Sequence, residues 1–215
     1  MSHAELDSPE PAPGSEAPAP VVPARKRPKP GERRVQILEA LATMLQQPGA
    51  ERITTAALAA RLEVSEAALY RHFASKAQMF EGLIEFIEQS VFTLINQITE
   101  REPAGQAQAA RIITMLIQFA EKNPGMTRVM VGDALVYENE RLQQRMNQFF
   151  DKVEASLRQC LRDAADPAAP TPTVDAQVRA SVLTAFIVGR LQRFARSGFK
   201  RLPSEHLEAS LERML

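Results

Sequence analysis

The 215-residue chain has a single cysteine, Cys160, so no internal disulfide can form. Cys160 falls on the apolar stripe of a predicted helix, which reads as ordinary packing. Its three histidines, His3, His72 and His206, stand far apart, and no HExxH or Cys–His cluster occurs. A metal centre is therefore not expected. A glycine-rich phosphate loop and a nucleophile elbow are also missing, so neither an enzyme nor a cofactor is expected. No window approaches the ~18 apolar residues that a membrane span needs. The first thirty residues lack the apolar core of a secretory signal, which predicts a cytoplasmic location.

There is also no excess of charge of either sign: 26 basic residues balance 26 acidic ones. The balance conceals a segregation. Residues 1–24 hold four acids and no Lys or Arg, whereas residues 25–80 hold ten Lys/Arg against five Asp/Glu. A positive field concentrated in one segment is the electrostatic footprint of nucleic-acid binding, although a solvated face gives the same count.

What the chain has in abundance is helical periodicity. Residues 1–30 carry eight of the fifteen prolines and read as a disordered Pro/Ala-rich tail. The tail ends in Arg25-Lys26-Arg27-Pro28-Lys29, either a solvated linker or an arm along DNA phosphates. Beyond Gly31 no convincing strand pattern appears. The first helix presents Ile37, Leu38, Leu41 and Leu45 and stops at Pro48-Gly49. Short helices are predicted over 55–62 and 66–72, and a long one from Lys76 to about Glu100. Further helices follow near 106–122, 126–136, 139–164, 174–197 and 205–214, with a Pro/Ala-rich connector from Asp166 to Thr173.

The informative stretch is Ile53 to Phe73. Thr54 and Thr55 can cap the first short helix, which packs through Leu58 and Leu62, and small Ala59 allows close approach. Ser65 can cap the second by accepting from an otherwise unpaired amide. Val64, Leu69 and Phe73 form the apolar side of that second helix. Ala67 and Ala68 keep its leading end low, which lets the backbone sit deep in a major groove beside base edges and thymine methyls. Tyr70, Arg71 and His72 extend outward with groups that can reach phosphates. Ser75-Lys76-Ala77-Gln78 has capping-box spacing, with Gln78 able to reach back three residues. Lys76 then opposes the dipole of its own helix by ~0.3–1 kcal/mol. A phosphate beside it reverses that penalty; a merely solvated lysine is the competing reading.

Residues 33–80, through Val64-Ser65, Leu69-Tyr70-Arg71-His72-Phe73 and Ser75-Lys76, resemble the DNA-binding domain of the TetR family of regulators. The resemblance implies an all-α, TetR-like fold. An N-terminal three-helix helix-turn-helix domain (31–76) would precede a C-terminal helical dimerisation and partner-binding domain (77–215). Glu63 departs from the family pattern in the turn, where glycine is common; a positive φ there would cost roughly 1 kcal/mol.

Ile53-Thr54-Thr55, Ser65 to Phe73, Leu83 to Glu88, Asn123-Pro124-Gly125 and Arg141-Leu142-Gln143 resemble, more narrowly, the nucleoid occlusion factors of that family. That likeness covers residues 31–215. It implies a nucleoid-associated homodimer that binds double-stranded DNA at palindromic sites and, once bound, engages FtsZ and blocks its assembly. It assigns DNA contact to Thr54, Thr55, Ser65, Ala67, Ala68, Tyr70, Arg71, His72 and Lys76. FtsZ contact falls to Phe86, Lys122 and Asn123, while Leu94 and Gln118 depart from the pattern of that surface.

On the long helix, Leu83, Ile84, Ile87, Val91, Leu94, Ile95 and Ile98 form one apolar stripe, with Phe86 and Phe92 each ~120° from its centre. Aromatics at such flanks are packed by a neighbouring helix or exposed as binding anchors. Neighbour packing is the default, and the resemblance favours exposure at Phe86. Val178, Val182, Leu183, Phe186, Ile187, Leu191 and Phe194 make one broad C-terminal face, with Gly189 permitting close approach; Leu207, Leu211 and Leu215 make another. Both suit dimerisation or an internal core. The competing function is a TetR-type transcriptional repressor released by a small molecule, which should enclose an apolar pocket. The C-terminal helices, rich in Leu, Val, Ile and Met, point instead to a filled core.

Overall fold

The computed structural model describes residues 31–47, 53–164 and 171–215. The N-terminal tail with its basic arm, the Pro48-Gly49 break and residues 166–170 of the expected connector lie outside those residues.

The described residues form nine α-helices and one 3-10 turn, with no strand among them. Helix α1 (Glu32–Leu45) buries Ile37, Leu41, Ala42 and Leu45 at i, i+4, i+5 and i+8 spacing. Helices α2 (Thr55–Arg61) and α3 (Glu66–Tyr70) are short, α2 lying against α1 and α3 against α2, and α4 (Lys76–Arg101) carries the chain away. Helix α5 (Gly105–Lys122) returns after a three-residue connector. Then follow α6 (Pro124–Met130), the 3-10 turn (Asp133–Leu135), α7 (Glu140–Asp163), α8 (Pro172–Arg196) and α9 (Leu207–Met214).

Most helix ends fall within two residues of expectation, the usual scatter of frayed termini. Two differ for physical reasons. The helix expected over 126–136 ends at Met130, where Gly132 turns left-handed (φ 85°) and the chain continues as the 3-10 turn. The helix expected over 66–72 ends at Tyr70, because the amides of His72 and Phe73 both return to the Leu69 carbonyl (2.9 and 3.1 Å).

One continuous apolar cluster runs from Ile37 in α1 to Leu211 in α9. The helix directions can be read from polar contacts. Along α4 and α7, Lys76 pairs with Glu138, Glu81 with Arg141 (2.5 Å) and Glu88 with Arg145 (2.6 Å). Numbers rise together, so α4 and α7 run parallel. Gln108 near the start of α5 donates to the Glu102 carbonyl (2.7 Å) at the end of α4, so α5 runs back. Its last turn meets the segment before α9, where the Ser204 amide donates to Glu121 (3.0 Å). The ends of α5 and α8 and the beginnings of α4 and α7 therefore gather at one pole, which also holds α1–α3.

Close approach fixes two glycines. A Cβ on Gly105 would lie 2.1 Å from the Cys160 carbonyl, and one on Gly125 1.9 Å from that of Ala42. Cys160 is buried as expected, and burial pushes its thiol up from the ordinary range.

Candidate nucleic-acid interface

Three of the N-terminal turns are set by hydroxyl caps. Thr54 Oγ1 accepts from the Ala57 amide (3.2 Å), Ser65 Oγ from Ala68 (3.3 Å) and Ser75 Oγ from Gln78 (3.2 Å). Each satisfies an amide that the start of a helix leaves unpaired, at a typical worth of ~1 kcal/mol. Gln78 also reaches back, but to the Ala74 amide (2.8 Å), four residues away rather than three.

Between α2 and α3, Glu63 adopts φ 54°. The left-handed turn is thus made without glycine, at a strain of ~1 kcal/mol.

Helix α3 buries Leu69 against the core and, just past its end, Phe73. The opposite side faces solvent: Ser65, Glu66, Ala67, Tyr70 and Arg71 are exposed, and Ala68 and His72 are half-buried. Tyr70 keeps 44% of its surface. Its hydroxyl lies 3.5 Å from Thr55 Oγ1, which itself donates to Glu66 Oε2 (2.5 Å). Thr55, Glu66 and Tyr70 thereby brace α2 against α3 on the solvent side. The structure brings Thr54, Thr55, Ser65, Ala67, Ala68, Tyr70, Arg71 and His72 together around these two helices, as the spacing predicted.

Lys76 lies differently from either expectation. Its ammonium pairs with Glu138, just before α7, and stands 5.8 Å from the centre of the Phe80 ring. Glu138 offsets the helix-dipole penalty and ties the start of α4 to α7.

Two contributors escaped the sequence reading. Arg34 on α1 donates to the His72 carbonyl just past the end of α3, and its guanidinium lies 4.1 Å above the Phe73 ring. Glu66 is the other, signalled by a Ser cap followed by an acid in the first turn. Nothing local signals Arg34, whose partner is 38 residues away.

Higher on α4, the two flanking aromatics separate. Phe92 packs edge-to-face on Phe149 (5.6 Å), whereas Phe86 stays 48% exposed. Leu94, placed in the apolar stripe, is a correction: it stands at the surface, 37% exposed, although Leu83 and Ile87 at nearly the same helical angle are buried, so cover on that edge of the stripe ends below Leu94. Lys122 is exposed at the last turn of α5. Asn123 caps that helix, its amide donating to the Phe119 carbonyl (2.8 Å). Because α4 and α5 are antiparallel, Phe86, Lys122 and Asn123 share the pole that carries α1–α3. On the side of α4 that meets α7, Glu88 raises the Arg145 guanidinium further above its ordinary value through their paired hydrogen bonds.

On α8, Val174, Val178 and Val182 remain 59, 56 and 53% exposed in a row four residues apart, and no atom lies within 4 Å of a Cβ built on Gly189. Leu183, Ile187, Leu191 and Phe194 are buried within the subunit. The broad face expected on this helix thus divides into a core side and an open side. An apolar groove of about 870 Å³ between α5 and α9, lined by Ala107, Ala110, Thr114, Leu207, Leu211 and Leu215, opens to solvent instead of being enclosed.

Comparison with known proteins is consistent with this geometry. Residues 37–83 match the family model described as bacterial regulatory proteins, tetR family, and residues 106–214 the SlmA-like model described as tetracyclin repressor-like, C-terminal domain. The nucleoid occlusion factor SlmA of Idiomarina loihiensis is 50% identical over 182 residues, covering 85% of this chain and 93% of the relative. That of Vibrio cholerae is 50% identical over 177 residues, 82% and 90% of the two chains. Among solved structures, the fatty acid degradation regulator FadR of Bacillus halodurans superposes with a TM-score of 0.71 at 12% identity, over 87% of this chain and 97% of the other. A transcriptional regulator of Rhodococcus gives 0.68 at 19%, over 84% and 92%. At those identities the likeness is one of fold alone.

Proposed function

This chain belongs to the TetR family, among its SlmA members, and from that premise we propose that it is a nucleoid occlusion factor. As a homodimer it reads palindromic chromosomal sites and, once on DNA, binds FtsZ and blocks division-ring assembly over the nucleoid. The observation that carries this reading is half identity to SlmA proteins across 85% of the chain, with an outward-facing α3 inside the segment that matches the tetR family model.

The division of labour follows from the side chains. The unit over 31–76 reads DNA. Ala67 and Ala68 let the α3 backbone approach base edges, and Tyr70, Arg71 and His72 bind flanking phosphates. Thr54 and Ser65, whose hydroxyl oxygens already accept from Ala57 and Ala68, can still donate to phosphate oxygens; Thr55 adds to the same rim. Lys76 reaches phosphate by exchanging Glu138 for it. The unit over 77–215 dimerises through the Val174, Val178 and Val182 row of α8, since a two-fold site is matched by a two-fold protein. Phe86, Lys122 and Asn123 form the FtsZ seat: an exposed aromatic anchor with a cation beside it. The open α5–α9 groove does not resemble the enclosed chamber of a ligand-released repressor, so the SlmA reading is preferred over that alternative.

The test uses two variants, footprinting on the inverted repeat, circular dichroism and a polymer assay. Sedimentation of FtsZ polymers is measured with and without a specific duplex. Tyr70→Ala should lose the footprint on the inverted repeat with an unchanged circular dichroism spectrum. Phe86→Ala should keep the footprint and lose inhibition of polymerisation. Inhibition that survives Phe86→Ala at full strength removes the assigned seat, and an unaltered footprint for Tyr70→Ala removes the reading helix.

A further inference from the structure

The N-terminal basic segment is not the sole concentration of cations. Residues 190–204 contain Arg190, Arg193, Arg196, Lys200 and Arg201 and no acid. Arg190 is used internally, donating to the Glu205 carbonyl (2.5 Å) and to Ser210 Oγ (3.2 Å) with its guanidinium 4.8 Å from the Phe186 ring centre. The other four side chains are exposed, and among the described residues none makes a hydrogen bond or ion pair through its charged group. The nearest acid along the chain, Glu205, lies 3.8 Å from His206.

The turn that presents them is held firmly. Gly198 and Phe199 are both left-handed (φ 62° and 65°), a conformation a phenylalanine rarely adopts. Ser197 Oγ accepts from the amides of Lys200 (3.1 Å) and Arg201 (2.9 Å). The Phe199 ring packs edge-to-face on Phe194 (5.1 Å), with Arg128 of α6 5.3 Å from its centre. Strain retained in an exposed turn, and stabilised from three sides, is a mark of function more often than of accident.

Position gives the patch its meaning. The end of α8 lies at the pole that carries α1–α3, tied there by Ser204 to Glu121 and by Phe199 to Arg128. At ~100° per residue, Arg193 and Arg196 fall within roughly 40° of the line through Val178, Val182 and Gly189. They continue the open α8 face towards that pole. If α8 meets α8 across the dimer axis, two sets of four cations converge beside the axis. Their mutual repulsion is relieved by a polyanion at that point, and the centre of a palindromic duplex lies there.

We propose that Arg193, Arg196, Lys200 and Arg201 form a second DNA contact, gripping backbone phosphates between the two half-sites. The proposal rests on the reading of α3 as the recognition element. It predicts a contact independent of sequence, since phosphates carry charge but no base identity.

Two arms test it with the full-length dimer. In the first, affinity for the palindrome is followed against salt for wild type and for K200A/R201A, whose backbone bonds to Ser197 are kept. Each lost phosphate contact lowers the slope of log K against log salt by ~0.9, so two side chains in two subunits should lower it by about 3.6. Affinity should fall by about tenfold or more near 0.15 M salt, while preference for the palindrome over its scrambled half-sites stays constant. In the second arm, neutral methylphosphonates replace the central phosphates. Wild type should then show the same reduced slope, and K200A/R201A no further loss. An unchanged slope for the variant, or equal losses for it on charged and neutral duplexes, overturns the proposal. A full slope accompanied by lost binding to phosphatidylglycerol vesicles assigns the patch to membranes and overturns it too. Tyr70→Ala is the control: if it binds as wild type, the α3 reading has failed; if it alone loses affinity, only the second contact has.

Discussion

Replacing Gly125 by alanine tests the joint between helix α1 and the rest of the protein. Gly125 sits in the first turn of α6, which lies across α1, and its new Cβ would stand 1.9 Å from the Ala42 carbonyl oxygen and 2.9 Å from the carbonyl carbon. Comfortable non-bonded contact needs ~3.5 Å, so α6 must retreat by more than ~1 Å. The obstacle is backbone, and no rotamer change relieves it. Retreat also disturbs Thr127, whose buried hydroxyl donates to the Ala120 carbonyl (2.9 Å). Overpacking of this kind costs ~1–3 kcal/mol, and contact with backbone places it at the upper end. Removing a glycine from a helix returns about 1 kcal/mol at most, so the net loss is about 2 kcal/mol. For a chain of this size that lowers Tm by about 4–8 °C. Thermal unfolding followed by circular dichroism measures it. A Tm equal to or above wild type would mean that only helix propensity was felt, and the tight α1–α6 contact would be refuted.

Two other substitutions address function. Val182→Asp puts a carboxylate in the middle of the exposed α8 row; sedimentation should show monomers at micromolar concentration, with palindrome affinity down at least a hundredfold, and an intact dimer would move the interface elsewhere. Glu138→Gln should free Lys76 from its ion pair and raise DNA affinity about two- to fivefold at low salt, as expected for a partly exposed pair worth up to ~1 kcal/mol. Weaker binding in a fluorescence titration would show that Glu138 positions the lysine instead of competing for it.

The reading unit was legible in the sequence because its rules are local. Thr54, Ser65 and Ser75 cap helices through amides three residues on, and the departure at Glu63 pointed to a left-handed turn that the structure contains. Interactions between distant segments left no trace in periodicity. Arg34 on the His72 carbonyl, Lys76 on Glu138, and the anchoring of Phe199 all depend on which helices meet. The same limit explains the flanking aromatics of α4: helical angle placed Phe86 and Phe92 equally far from the stripe, and only the position of α7 decides that Phe149 covers one of them. Met130 and Gly132 mark a third case. An apolar run continues past both, but the left-handed glycine interrupts the helix.

Helix α4 is 26 residues long and unbroken, beginning beside helices α1–α3. From Lys76 to Phe86 it measures ~15 Å at 1.5 Å per residue. If α3 reads DNA and Phe86 is the partner seat, as proposed, the partner rides at a set height above the duplex, on a strut instead of a tether. Two subunits on one palindrome would then hold two such berths at a constant separation. On that reading, a polymer that repeats one docking element could occupy both, the second capture proceeding at the high effective concentration of a linked ligand. A lone partner subunit would gain nothing from that geometry, so under the proposed function the rod would favour polymer.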